Sequence, residues 1–489
     1  MVATALERLQ AALAAGNAGE AESIARAALD DDPGEFLIRA HLGSLVMARG
    51  EVEEAVEHFQ AAVEAGPEVA ELHNELGNAL ALAGEPVWAE AALRRASELE
   101  PEVAQIHNNL GNVLRQQGRL ADAIDSYRVA LELAPDYGEA FGNLGIALQE
   151  SGDIDGAIGQ YRAAIERRPK DALSHTHLGV ALAAKGELEA AVAAHRRALE
   201  HDPDLVEAHN NLGIALKDQG ALARAADSYR IALALRPGDA AIHSNLLMSL
   251  CYDPAVDGAA LLAAHREWDA AHGSGVPPSF EDDADPDRVL RVGYVSPDFY
   301  SHSVASFVEP VLAHHDRSQV FVACYSDVAE PDLVTARLKS ASDLWRDTVG
   351  MSDTSLFGQI REDRIDILVD LAGHTANNRL PVFARRAAPV QATWIGYPAT
   401  TGLAAMDYRL TDDWADPPGT SDGWHSETLL RLPGGSSATG RRRIVPSRPK
   451  RRAKGRSTSR RSTTSPKSAQ RWSRPGRRRF RRRPARGCC

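Results

Sequence analysis

The sequence predicts an α-helical superhelix of stacked repeats, followed by an α/β lobe and a disordered basic tail. Three observations carry this. A Leu-Gly pair returns every 34 residues, at Leu42-Gly43, Leu76-Gly77, Leu110-Gly111, Leu144-Gly145, Leu178-Gly179 and Leu212-Gly213. Beyond Val289, short β-like runs alternate with helical stretches, the pattern of a parallel sheet. The segment Arg441 to Cys489 holds 21 Lys and Arg and no Asp or Glu.

Each 34-residue unit reads as two short helices. In Ile106 to Gly118, Leu110 and Val113-Leu114 share one face. Gly111 is small enough for a partner helix to come close, and Gly118 ends the helix where the left-handed conformation favours glycine. The second helix, Leu120 to Leu133, places Ala123, Ile124, Tyr127 and Ala130 at helical spacing. Pro135 follows, because proline cannot continue a helix but can begin the next unit. Gly50, Gly84, Gly152, Gly186 and Gly220 keep the step of Gly118, and a proline recurs from Pro33 to Pro237. A 34-residue period with these marks is the tetratricopeptide signature. One unit cannot bury its own apolar face, so residues 1–251 are expected to stack into a solenoid that binds other proteins. The first unit is degenerate, and Ala241 to Cys251, with Leu247 in place of glycine, reads as a capping helix.

The residue before each Leu-Gly is His41, Glu75, Asn109, Asn143, His177 or Asn211, with Asn245 in the cap. Equal spacing puts these side chains in a row. Asn offers a donor and an acceptor to a peptide backbone, so Asn109, Asn143, Asn211 and Asn245 are candidates for a ladder that grips extended polypeptide. Polar residues that only contact water or a neighbouring helix explain the same spacing.

Composition bounds the function classes. The chain has 489 residues, 44% hydrophobic, with four cysteines and no pair at metal-ligand spacing. A reducing, cytoplasmic location is expected. No apolar run is long enough for a membrane span, and Met1 to Arg8 lacks a signal-peptide pattern. Of 55 basic residues, 21 fall after Gly440, so residues 1–440 hold 34 basic against 67 acidic groups. An acidic body makes nucleic acid an unexpected partner except through the tail.

Residues 252–288 read as a connector with a short helical stretch, Ala259 to Ala271. Residues 289–434 read as a Rossmann-like lobe. Strands are expected at Val289 to Val295, Val320 to Tyr325, Ile365 to Leu371 (the third), Val390 to Gly396 and Tyr408 to Thr411, with helices at Ser306 to His314 and Asp332 to Ala341. In such sheets ligands bind beyond the C-terminal ends of the strands. Ser296-Pro297-Asp298, Gly373-His374-Thr375 and Gly396-Tyr397-Pro398 fall there.

Two blocks in this segment, GYVSPDFYSHSVASF (Gly293 to Phe307) and LAGHTANNRLPVFARRAAPVQATWIGYPATTG (Leu371 to Gly402), followed by MDYRLTD (Met406 to Asp412), resemble the catalytic region of protein O-GlcNAc transferases. The SPINDLY branch is matched more closely, through Gly373 to Asn378, Ile395 to Gly402 and Asp407 to Pro418. The resemblance covers roughly residues 35–433. It implies half of a two-lobed glycosyltransferase behind a peptide-gripping solenoid, moving a sugar to Ser or Thr of intracellular proteins without a metal or other cofactor. The donor is a nucleotide sugar, UDP-GlcNAc or GDP-fucose. His302 matches the family's active-site histidine and is expected to place the hydroxyl. Asp298 lies in the same block. His374 stands where other members have an aromatic residue. Gly396, Pro398, Thr400 and Thr401 match the loop lining the donor–acceptor cleft. A structural turn explains the glycine equally well.

The resemblance stops after Gly434. A second lobe, which would hold the nucleotide sugar, is expected next, but residues 435–489 have scattered apolar residues and one sign of charge, which predicts disorder. A shifted reading frame, a basic arm and a tail folding onto the acidic body all fit. The sequence therefore leaves two functions open: a transferase of this type, inactive in this chain for lack of the donor lobe, or a non-catalytic binding scaffold.

Overall fold

The computed structural model describes residues 4–273, 279–280, 285, 287–433 and 435. The disordered Arg-rich tail expected over residues 435–489 lies outside the described residues apart from Gly435.

The helices pair along the chain as α1 (Ala5–Ala14) with α2 (Ala18–Asp31), α3 (Phe36–Ala48) with α4 (Val52–Ala65), α5 (Ala70–Leu82) with α6 (Pro86–Leu99), and α7 (Ala104–Gln116) with α8 (Leu120–Leu133). The series continues with α9 (Gly138–Glu150) and α10 (Ile154–Arg167), α11 (Ala172–Ala184) and α12 (Leu188–His201), α13 (Val206–Asp218) and α14 (Leu222–Leu235), then α15 (Ala240–Tyr252) and α16 (Gly258–His272). The degenerate first unit forms a regular pair, opened by a capping box between Thr4 and Glu7.

The two glycines of each unit serve different physical ends. A Cβ on Gly111 would lie 2.6 Å from Tyr127, whose ring is fully buried against it. The neighbour 16 residues on is Leu93 for Gly77, Tyr161 for Gly145, His195 for Gly179 and Tyr229 for Gly213. Gly118 meets nothing but has φ +76°. It closes α7 with bonds from Gly118 N–H to Arg115 O and Arg119 N–H to Leu114 O, both 2.9 Å, a Schellman motif. A third repeating device escaped the sequence reading. His73, His107, His175 and His209 donate from Nε2 to the carbonyls of Pro67, Pro101, Pro169 and Pro203 at 2.8–2.9 Å, tying each first helix to the turn before it.

The lobe is a seven-stranded parallel sheet. In chain order its elements are β1 (Leu290–Ser296), α17 (Ser303–His314), β2 (Val320–Ser326), α18 (Leu333–Ser340), β3 (Leu344–Asp347), α19 (Asp353–Glu362), β4 (Ile367–Asp370), α20 (Leu380–Ala384), β5 (Val390–Trp394), β6 (Tyr408–Thr411) and β7 (Thr428–Arg431). The spatial order is β3-β2-β1-β4-β5-β6-β7, so the chain reverses direction across the sheet between β1 and β4. The strand expected third is the fourth. β3 was missed because Leu-Trp-Arg-Asp is four residues long and half-buried at an edge. α19, α20 and β7 were also missed; α20 and β7 have only five and four residues.

The stretch expected to be a connector corrects a second expectation. α16 is a packed element, with Trp268 and His265 fully buried and Leu262 nearly so. It lies against the loop after β5, where Gly402 leaves no room for a Cβ beside the His265 backbone. No described helix is long and apolar enough to cross a membrane.

Candidate functional site at the C-terminal edge of the sheet

The side chains that begin the site come from the end of β1. Ser296 accepts the Asp298 N–H on its Oγ at 2.9 Å, which turns the chain sharply out of the strand. Phe299 is buried in the lobe core, and this pins the loop while Tyr300 and His302 stay accessible. His302 is the N-cap of α17, accepting the Val304 N–H on Nδ1 at 3.4 Å. Its ring stacks on Tyr300 with centroids 5.5 Å apart. Asp298 Oδ1 lies 3.6 Å from Nδ1. Burial raises the Asp298 carboxyl above its ordinary value, opposed by His302. Ser301 N–H donates to Asp332, the N-cap of α18, at 2.8 Å, joining the loops after β1 and β2.

Behind this edge, Arg379 holds three loops in one place. Its guanidinium grips both oxygens of Asp327 at 2.7 Å and Asp353 Oδ1 at 2.8 Å, and bonds the carbonyls of Thr348 and Met351. The two carboxylates raise the Arg379 pKa further. Asp370, at the end of β4, is buried and accepts from the N–H groups of Ala372 and Gly373 and from Thr393 Oγ1 at 2.7 Å. Burial raises its pKa. Neither residue was singled out in the sequence. The only signal for Asp370 was an acidic residue closing the apolar run Ile367 to Val369. Tyr300 was missed as well, although it is an aromatic two residues before His302.

Of the predicted site residues, the structure brings Asp298 and His302 together and leaves them partly open, with side chains 17% and 36% exposed. Pro398 is exposed. The others require correction. His374 does not line a cleft: it is buried, accepting from Ser244 Oγ on Nδ1 at 3.1 Å and donating from Nε2 to Thr401 O at 2.8 Å. His265 and Trp268 of α16 and Tyr397 close around its ring at 5.0–5.4 Å. Desolvation there holds its pKa well below the ordinary value. Thr400 and Thr401 are buried too, because their hydroxyls donate to Glu427, at 2.6 and 2.5 Å, just before β7. Gly396 is half-buried, and a Cβ there would strike the Leu371 carbonyl, so the glycine serves the close approach of the loops after β4 and β5. Ile395 beside it has φ +62°, a conformation that costs a β-branched residue of order 1–3 kcal/mol.

In the solenoid, Asn109, Asn143, Asn211 and Asn245 are half-buried at the same place in successive first helices. Asn109 Nδ2 donates to Asn74, Asn143 to Asn108 and Asn245 to Asn210, at 2.9–3.0 Å. Asn210 donates to Asn211 at 3.3 Å. The row is therefore partly spent on contacts between repeats, which leaves each amide one further N–H or its oxygen for a ligand.

Comparison with known proteins places these features. Residues 276–446 match the sequence model of Glycosyl transferase family 41, and tetratricopeptide repeat models match residues 12–74, 102–170, 143–205 and 189–240. A probable UDP-N-acetylglucosamine–peptide N-acetylglucosaminyltransferase SPINDLY of Oryza sativa subsp. japonica is 49% identical over 179 residues, covering 35% of this chain and 19% of that protein. A UDP-N-acetylglucosamine–peptide N-acetylglucosaminyltransferase of Caenorhabditis elegans is 37% identical over 133 residues, 26% of this chain and 11% of that one. The solved structure of a Thermobaculum terrenum O-GlcNAc transferase mutant superimposes with a TM-score of 0.55 at 36% identity, over 61% of this chain and 58% of the other. The match thus spans about a fifth of the SPINDLY relative's length.

Proposed function

We propose that this chain, in which tetratricopeptide repeats precede a Glycosyl transferase family 41 segment, is the protein-binding and acceptor-side part of a protein O-glycosyltransferase. The sugar would pass from a nucleotide-sugar donor to a Ser or Thr hydroxyl of a protein held along the solenoid. The hydroxyl oxygen attacks the anomeric carbon, the bond from that carbon to the phosphate oxygen breaks, the nucleoside diphosphate leaves, and the hydroxyl proton passes to the departing phosphate or to water. The names of the relatives support UDP-GlcNAc as donor, while the SPINDLY-like motifs leave GDP-fucose as the alternative.

The observation that carries this reading is the accessible pair Asp298 and His302 beyond β1, at the switch point between β1 and β4, where doubly wound sheets bind ligands. Solenoid and lobe meet directly through Ser244 and His374, so a polypeptide on the repeats has a fixed relation to that edge. Residues 435–489 lack the apolar residues for a second α/β lobe. Without a donor-binding lobe, charge on the leaving phosphates would go unbalanced, and such electrostatic stabilisation is usually the largest catalytic contribution. Alone, this chain is expected to bind peptide and transfer no sugar.

The test is to incubate the full chain with each donor and a Ser/Thr peptide, read product by mass spectrometry, and measure peptide and donor binding by calorimetry. Turnover overturns the expected inactivity. The coding DNA across Leu430 to Arg443 is then read in three frames. An α/β lobe in another frame supports the transferase. The tail confirmed in frame, with peptide bound and no donor bound, replaces it by a binding scaffold.

A further inference from the structure

The geometry points to His302 presenting an N–H donor, rather than a proton-accepting nitrogen, to the open edge of the sheet, with the Val304 amide as the group that fixes this tautomer.

Two distances and one exposure assign the tautomer. Val304 N–H is one of the donors that α17 cannot satisfy internally, and it reaches His302 Nδ1 at 3.4 Å. That bond requires a lone pair on Nδ1. Asp298 Oδ1 is the rival partner for the same nitrogen, but at 3.6 Å it stands beyond hydrogen-bond reach. A neutral imidazole carries one N–H, so the proton sits on Nε2. No described residue bonds Nε2, and the side chain is 36% exposed. The face turned to solvent therefore offers a donor to a hydrogen-bond-accepting oxygen, such as an acceptor hydroxyl or a phosphate.

The loop also contains the alternative state. A second proton would occupy Nδ1. In that state the Nδ1 proton faces Asp298 Oδ1, 3.6 Å away, and the Val304 N–H is left without its acceptor. The titratable groups beside the ring are Asp298 and Tyr300, which stacks on it. Asp298 is thus a positioning residue for the charged ring and Val304 for the neutral one. Under the transferase reading, on which this consequence rests, neutral His302 orients an oxygen and cannot take the hydroxyl proton at Nε2.

The experiment is a long-range proton–nitrogen correlation spectrum of the full chain labelled in its 17 histidines, at a pH of about 9, well above the ordinary imidazole value. The His302 signals are assigned by their loss in His302→Asn, which keeps a capping side chain. The expected spectrum shows Nε2 protonated and Nδ1 bare in the native chain and in Asp298→Asn. Val304→Pro, which lacks the amide donor at a first-turn position, should shift population to the Nδ1–H form. A native His302 protonated on Nδ1 overturns the proposal, as does a tautomer that flips in Asp298→Asn. Should Val304→Pro disrupt the helix, the other two spectra still decide. The measurement involves no sugar, so its failure and that of the transferase reading are separate results.

Discussion

Ser244 of the last repeat and His374 after β4 are 130 residues apart in sequence and share a 3.1 Å hydrogen bond with both side chains buried. Around it, His265 donates from Nδ1 to Leu261 O at 2.7 Å and accepts the Tyr397 hydroxyl on Nε2 at 2.9 Å. Trp268 fills the remaining space and donates to Ala240 O at 3.2 Å. Each ring nitrogen of His265 and His374 thus has one assigned partner, and both rings are neutral. The joint between solenoid and lobe is a satisfied polar core.

Removing that ring should loosen the joint. His374→Ala leaves Ser244 and the Thr401 carbonyl unpaired and opens a cavity beside Trp268, a loss of about 2–4 kcal/mol. A lower thermal midpoint is the expected readout. An unchanged protein would show that the joint contributes nothing to stability.

The same joint predicts acid sensitivity. Burial holds His243 and His265 down at about 4, whereas the unfolded chain binds those protons near 6.5. Between the two values the unfolded state carries more protons, so stability rises with pH there. It should be complete above about 6.5 and fall toward 4, by up to about 1.4 kcal/mol per pH unit for each such group. Thermal midpoints measured across that window should flatten in part in His265→Gln.

Gly111 and Gly118 should fail for different reasons. Gly111→Ala forces a methyl onto Tyr127, an overpacking cost of roughly 1–3 kcal/mol, and Tyr127→Ala should absorb much of it. Gly118→Ala meets open space but must hold φ +76°, at about 1–2 kcal/mol. Tyr127→Ala should leave that cost unchanged. A double-mutant cycle by urea denaturation separates them: equal coupling in both pairs would sink the distinction.

Thr400 and Thr401 are expected to matter for folding rather than for ligand contact. Glu427→Ala leaves two hydroxyls and the Thr401 N–H without their buried acceptor, at about 2–4 kcal/mol in all. The solenoid should keep its peptide affinity. Calorimetry with one peptide, before and after the substitution, checks this.

Asn109→Ala combined with Asn143→Ala should weaken binding of an extended peptide by roughly tenfold or more, if each lost bond contributes about 1 kcal/mol. The bonds to Asn74 and Asn108 disappear with them, so circular dichroism must show the helices intact. Unchanged affinity with intact helices would assign the row to contacts between repeats alone.

The repeats were legible because their causes are local and periodic. Gly111 and Gly118 mark a close approach and a left-handed turn in every unit, and both can be read from spacing. The alternation of strands and helices was legible in the same way, except at α19 and at β3, α20 and β7, the last three too short to show a period. At the site, Asp298 and His302 stood in one sequence block, and one turn and one helix start hold them together. His374, Thr400 and Thr401 sat in equally recognisable blocks and were misplaced.

The chain's local chemistry determined by itself the number and type of repeats, the class of the second segment, and the loop that carries His302. Tertiary structure alone decided which of the marked residues face outward. Burial depends on what packs from a distance: α16 covers His374, and Glu427 draws Thr400 and Thr401 inward. Those partners lie from 26 residues away, for Glu427 and Thr401, to 109, for His265 and His374, and no spacing within a motif encodes a contact across that distance.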